Sequence, residues 1–454
     1  MKIITATKLF IFALLTTLPL HICGQADFVK TQYDSGKVLI NTHIPNATSV
    51  EIAGMGGSWG LNNLDKSFID TGEYHWQVKL DTSEISYLTP GFHYYNFLVN
   101  GVYTSNPDEQ VYFGAGYWSS GIDIPVYDPD SNFYGIRDVP HGTIRIQYYN
   151  STLTGQIRRC FIYLPPGYDT RSDSTYPVLY LQHGSNESEY SWHMQGKVNF
   201  ILDNLIAEGK AMPMIVVMDN GMTATYPDLV LKDLIPLMNI NYHVKTDREN
   251  RAVAGLSLGG IQATNLGLMH INTFAYIGAF SGGTSVNLPT CRKRANDSIV
   301  VLFNGYGTND ELNIGQNLEA QLNYARLNHV NFQYPGGHEW QVWRNCLFRF
   351  AQLLFKPYTY KNPFSDIKEN TSDQLIVYPN PFQGTIHFKL PNAYGFYNAT
   401  YELRDTVGRT LLSYEGDTAS AEKEIGRRLE TSPDGIYIIS VTTRIHVYQV
   451  KIMK

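Results

Sequence analysis

Ser257 stands in the run Gly255-Leu256-Ser257-Leu258-Gly259, after the strand-like residues 251–254 and before the small residues Gly260 and Ala263. A serine hydroxyl becomes a nucleophile when a base takes its proton, so the chemistry suggested is acyl transfer. Glycine on either side predicts a sharp strand-to-helix turn, because Cβ atoms at 255 and 259 would meet neighbouring backbone. The serine is then carried at the head of a helix, where N–H groups without helical partners favour a developing negative charge. G-x-S-x-G alone is a weak signal, since glycine and serine are common in loops. The flanking strand and helix patterns separate this one from an ordinary turn.

An activated serine needs a base, and the base needs an orienting acid. In α/β-hydrolases they follow in the order Ser, Asp or Glu, His. Residues 298–303 are apolar and of strand length, and the loop after them ends in Asp310. Residues 330–334 read as another strand, followed by Pro335-Gly336-Gly337-His338-Glu339-Trp340. Both loops then lie at the carboxyl ends of strands, where ligands gather in open α/β sheets. Alternatives exist for each residue: Asp310 as a helix cap, Glu311 as a rival acid, His338 as a surface histidine. The strand at 176–182 runs into His183-Gly184-Ser185, whose backbone N–H groups, with that of Leu258, are candidates for an oxyanion hole. Here His183 reads as structural. Trp192, Trp340 and Trp343 are candidates for lining an acyl or sugar site, with core packing as the competing role.

The chain from about residue 138 to 358 resembles the esterase D/feruloyl esterase family, carbohydrate esterase family 1. The resemblance rests on Asp138-Val139-Pro140-His141-Gly142, Tyr163-Leu164-Pro165-Pro166-Gly167-Tyr168, the strand and loop at 176–184, and Trp192. It continues through residues 203–210, Asp233-Leu234-Ile235-Pro236, the Ser257 turn, Gly307-Thr308-Asn309-Asp310 and residues 336–340. It implies an α/β-hydrolase domain over 135–358 and a triad of Ser257, Asp310 and His338, with no metal or cofactor. Feruloyl or acetyl esters on plant polysaccharide such as xylan are the implied substrates. Ser185-Asn186-Glu187-Ser188 departs from the family's glycine-rich loop. Two rival readings are a siderophore or small-ester or thioester hydrolase on the same fold, and a surface glycan-binding protein with an inactive esterase domain.

Other elements surround this domain. Met1-Lys2 and the apolar residues 9–20 read as a secretory signal over 1–24, too short to span a bilayer comfortably. Lipidation at Cys23 is a weaker alternative, because Ile22 is a poor fit for the residue before it. Short strands over 27–126, with an Asn100-Gly101 hairpin, predict an immunoglobulin-like sandwich. That segment resembles the early-set sandwiches related to family 48 carbohydrate-binding modules. Trp59, Trp76 and Trp118 can stack on sugar, although a core role suits Trp76. Residues 127–132 and 359–374 read as linkers. The tail over 375–454, from Tyr378-Pro379-Asn380-Pro381-Phe382 to Gly435-Ile436-Tyr437, resembles the type IX secretion sorting domain of Bacteroidetes and is expected to be a small β-sandwich. The resemblance implies secretion machinery as a partner and a secreted or cell-surface location. A net charge of −6 with no basic run offers nothing to nucleic acid. The fold class expected is therefore multidomain: an α/β-hydrolase flanked by an immunoglobulin-like and a small C-terminal β-sandwich. Cys160, Cys291 and Cys346 allow one disulfide with a thiol left over, or three buried thiols.

Overall fold

A computed structural model describes residues 31–34, 37–53, 66–67, 69–71, 75–81, 90–114, 116–124, 133–171, 173–221, 225–358, 375–389, 399–406, 409–442 and 447–454. The expected signal segment, Trp59 and the linkers at 127–132 and 359–374 lie outside them.

The central domain is an eight-stranded sheet. Its strands are β1 (Thr143–Asn150), β2 (Ile157–Leu164), β3 (Val178–Gln182), β4 (Ile215–Asp219), β5 (Arg251–Leu256), β6 (Tyr276–Phe280), β7 (Val301–Gly307) and β8 (Val330–Tyr334). The order is β1-β2-β4-β3-β5-β6-β7-β8, with β2 antiparallel to both its neighbours and β3 to β8 parallel. β3 to β7 are buried along their whole length, as expected for a sheet covered on both faces. Apolar residues divide into one core on each face.

Four helices matter to the site: α1 (Val198–Ala207), α2 (Leu258–Met269), α3 (Ile314–Ala325) and α4 (Trp340–Ala351). The stripe Ile201, Leu202, Leu205 of α1 is buried, and Gly209 beyond it takes φ +67°, as a chain leaving a helix often requires. Leu318, Leu322 and Ala325 bury one face of α3. β7 differs from expectation. It starts at Val301 and runs on through the predicted loop to Gly307, because Gly305 and Gly307 pair in register with Phe332 and Tyr334 of β8.

Before this domain, two antiparallel sheets share a core of Val38, Ile40, Trp76, Val78, Leu80, Tyr95, Phe97 and Ile122. Trp76 is a core residue, as its alternating strand predicts. Asn100 and Gly101 both take positive φ, closing the expected hairpin between Val99 and Val102. The C-terminal part departs from a pure β-sandwich. Beside a two-stranded and a four-stranded sheet it carries a helix, Thr418–Glu430. Asp417 caps that helix by accepting the Ser420 N–H at 2.9 Å, and Ala421, Ile425 and Leu429 bury one face at a spacing of four. Cys160, Cys291 and Cys346 are thiols, and no disulfide joins them.

Candidate active site

The elbow is made by local sterics. Ser257 sits between β5 and α2 at φ 51° and ψ −119°, a region that non-glycine residues rarely enter. Its own N–H donates to the Phe280 carbonyl at 2.8 Å, which holds the turn against β6. A Cβ at Gly259 would lie 2.2 Å from the His183 carbonyl oxygen, and one at Gly255 2.5 Å from the Gly259 carbonyl carbon. Only glycine allows the end of β3, the elbow and α2 to close on one another. A Cβ at Gly184 would lie 3.4 Å from Ser257 Cβ, so the loop after β3 borders the serine.

Asp310 and His338 meet on the loops after β7 and β8. His338 Nδ1–H donates to Asp310 Oδ2 at 3.0 Å, and both side chains are buried. The two loops are tied by backbone bonds, Thr308 N–H to Tyr334 O and Asn309 N–H to Gly336 O, each 2.9 Å. Burial would raise the Asp310 carboxyl, but the hydrogen bond to His338 and the attraction between the two groups outweigh burial and hold it below the ordinary range. An ionised acid there fixes the tautomer that leaves Nε2 as the accepting nitrogen.

The cap reading of Asp310 does not hold: its other oxygen, Oδ1, accepts the Leu312 N–H at 3.1 Å within the loop, and α3 begins after Asn313 with no side-chain cap bond. Glu311 is exposed and accepts the backbone N–H of His338 at 3.3 Å instead of the ring. The rival acid therefore positions the loop and Asp310 holds the imidazole. Asp310→Asn should lower kcat by about 10³- to 10⁴-fold by presenting the wrong hydrogen-bond partner to the ring. Glu311→Gln should cost less than about tenfold. Equal losses in steady-state ester hydrolysis would contradict this assignment.

The tryptophans correct an expectation. Trp192, Trp340 and Trp343 are all buried and form an edge-to-face chain, with centroids 5.3 Å apart at each step. Trp343 stands edge-to-face on the His338 ring at 5.0 Å. They brace the histidine from behind and do not line an open cleft. Their width makes them core material, and two of their N–H groups find partners there: Trp192 donates to Gln182 O at 2.9 Å and Trp340 to Tyr94 Oη at 3.3 Å.

Two residues escaped sequence reading. The buried Glu187 accepts the Gly184 N–H at 2.8 Å, so that donor is already engaged and Ser185 is left as the loop's candidate for an oxyanion hole. Its signal was the acid in a loop that departs from the family pattern. The second is Tyr94, which reaches in from the N-terminal sheet strand Gly91–Val99. Its hydroxyl accepts from Gln195 Nε2 at 2.8 Å and from Trp340. A core position in one domain carries no mark of a contact in another, so nothing in the sequence points to it. The nearby Tyr117 and Trp118 are exposed; Trp118 lies 6.0 Å from Tyr190 with rings inclined by 19°, and Gly116 N–H donates to Asn186 O at 3.0 Å.

Residues 151–290 match the family model described as "Putative esterase", and residues 376–454 match the "Secretion system C-terminal sorting domain". A protein of Xylanibacter ruminicola named "Endo-1,4-beta-xylanase/feruloyl esterase" is 36% identical over 344 residues, covering 71% of this chain and 45% of that protein. An esterase of Mycobacterium tuberculosis is 29% identical over 198 residues, 39% of this chain and 42% of that one. The chain thus spans about half the length of the curated relatives it matches. Among solved structures, the enterochelin esterase of Shigella flexneri shares the fold, with TM-score 0.52 and 17% identity over 72% of this chain and 95% of that one.

Proposed function

From a central domain of the esterase family and a tail of the secretion sorting family, we propose that this protein is an exported serine esterase that removes feruloyl or acetyl groups from xylan-type polysaccharide. The sorting domain marks the chain as secreted or cell-surface, in the manner of Bacteroidetes, and no helix among the described residues is long and apolar enough to cross a membrane. The observation that carries the catalytic part is the buried pair of Asp310 and His338 on loops at the same sheet edge as the strained Ser257. The polysaccharide part is supported by the relative named a xylanase and feruloyl esterase.

In the proposed reaction Ser257 Oγ attacks the ester carbonyl carbon while His338 Nε2 takes its proton. The carbonyl oxygen becomes an anion held by the N–H groups of Leu258 and Ser185; such donors contribute about 3 kcal/mol each to the transition state. His338 gives the proton to the sugar oxygen, the C–O bond breaks, and the glycan leaves. Water, deprotonated by His338, attacks the acyl-enzyme and releases the carboxylic acid and Ser257.

The sugar side of the substrate is assigned to Trp118 and Tyr190. The exposed Trp118, stacked on the half-buried Tyr190 beside the oxyanion loop, offers a flat face to a pyranose ring. Trp118→Ala should raise KM for feruloylated xylo-oligosaccharide about tenfold, roughly 1.4 kcal/mol, and leave KM for methyl ferulate unchanged. An equal change in both would remove this assignment. The whole reading is tested by chromatography of ferulate and acetate released from acylated xylo-oligosaccharides. Binding of xylan without release of either acid would refute it.

A further inference from the structure

Glu187 is an acid buried beside the nucleophile, and the mechanism above does not use it. Its Oε2 accepts the Gly184 N–H at 2.8 Å. A Cβ built at Gly184 would sit 3.3 Å from that oxygen and 3.4 Å from Ser257 Cβ. The backbone of the oxyanion loop at Gly184 therefore borders both the carboxyl and the serine. A fixed negative charge at this place would repel the oxyanion that the loop must stabilise.

The groups around Glu187 give its charge little support. Tyr94, reaching in from the N-terminal sheet, is a neutral phenol; burial first, then the charge of Glu187, push its ionisation far above the ordinary range. His183, at the end of β3, donates from Nδ1 to Gly184 O at 2.7 Å and is neutral, since burial lowers it to about 4. Arg159 is bonded to Glu189, on the same loop. The pair of Asp310 and His338 serves the serine. Burial raises the Glu187 carboxyl to about 8, with the Gly184 N–H opposing the rise.

We propose that Glu187 is a positioning residue of the oxyanion loop whose neutral form is the active one. It orients the backbone at Gly184 and Ser185 while carrying no charge, and its ionisation sets a negative charge against the one forming on the substrate. This rests on Ser257 being the nucleophile. The sign follows directly. A serine esterase gains activity as its histidine loses a proton and then levels off, whereas this one should lose activity again as Glu187 ionises.

The test is the pH profile of kcat/KM for methyl ferulate from about pH 6 to about pH 9.5, followed by titration of released acid with the Ser257→Ala protein as blank. Wild type should show a falling limb that begins near the Glu187 value of about 8 and then steepens towards tenfold per pH unit. Glu187→Gln keeps an oxygen to accept the Gly184 N–H and cannot ionise. It should retain at least about a tenth of the neutral-pH rate and lose the falling limb. Glu187→Ala removes the acceptor, and should lower kcat more than it raises KM, again with no falling limb. A falling limb that persists in Glu187→Gln overturns the proposal. So does a folded Glu187→Gln protein, by circular dichroism, that is inactive at every pH. A wild-type rate no greater than the Ser257→Ala blank at any pH instead overturns the assignment of Ser257.

Discussion

Ser257→Ala should lower kcat for methyl ferulate and for p-nitrophenyl acetate by about 10⁵-fold, with the fold retained. The size follows from the route: without Oγ there is no acyl-enzyme, and only binding and the oxyanion donors remain to assist direct attack by water. His338→Ala should cost a similar factor, because an unactivated hydroxyl is a poor nucleophile. The double variant should be no slower than either single one, since the residues act as a unit. Alanine inherits the φ of 51° at this position, so the melting temperature should move by no more than a few degrees. Losses that multiply in the double variant, or a Ser257→Ala protein with near wild-type rates, would contradict the proposed mechanism.

Asp123→Ala should destabilise the protein by about 3 to 5 kcal/mol, read from urea unfolding. Arg344, on α4, is fully buried, and its two terminal nitrogens donate to the Asp123 carboxylate of the N-terminal sheet at 2.7 and 2.9 Å. Its Nε donates to Gln195 O at 2.8 Å, and its guanidinium lies 4.5 Å from the centre of the Tyr134 ring. Removing Asp123 strands a charge in the interior, which costs far more than the loss of a surface pair. Burial would raise the Asp123 carboxyl, but Arg344 outweighs it and holds it below the ordinary range. A carboxylate lowered in this way stabilises the fold above its unfolded value, and the contribution fades as pH falls through the lowered one. The destabilisation should therefore shrink in acid. Replacing both partners, as Asp123→Leu with Arg344→Met, should recover most of the loss. A single variant as stable as wild type would mean that the pair does not hold this interface.

The same interface joins the N-terminal sheet to the candidate site. Gln341 of α4 packs so closely on Gly91 that a Cβ there would fall 2.0 Å from its Cγ. Tyr94 bonds Trp340, Trp340 packs on Trp343, and Trp343 packs on His338. The contact between domains thus reaches the proposed base, His338, in three steps.

Much of this was legible in the residues alone. The elbow is a local object: strand, two glycines and small-residue helix lie within one short segment, and their clashes involve neighbours in sequence or the next strand. The helix stripes at Ile201, Leu205 and at Leu318, Leu322 were readable for the same reason, as periodicity is a local property. The helix at Thr418–Glu430 was readable in principle from its Asp417 cap and fourfold apolar spacing, but lay hidden among strand-like neighbours. The order of serine, acid and histidine followed from the chain itself.

Tertiary structure decided the rest, because burial and partner choice depend on segments that meet from far along the chain. Asp310 and Glu311 are adjacent and chemically alike, and only the packing of two loops turned one to the imidazole and the other to the backbone. Three tryptophans near the histidine could face a ligand or a core, and a helix packed against a second domain made them core. The carboxyl of Glu187 reads as an ordinary loop acid until β3, the elbow and Tyr94 enclose it. The sequence by itself singled out the serine proposed to react, because the elbow is local; the groups that surround that serine came only with the fold, because they meet from far along the chain.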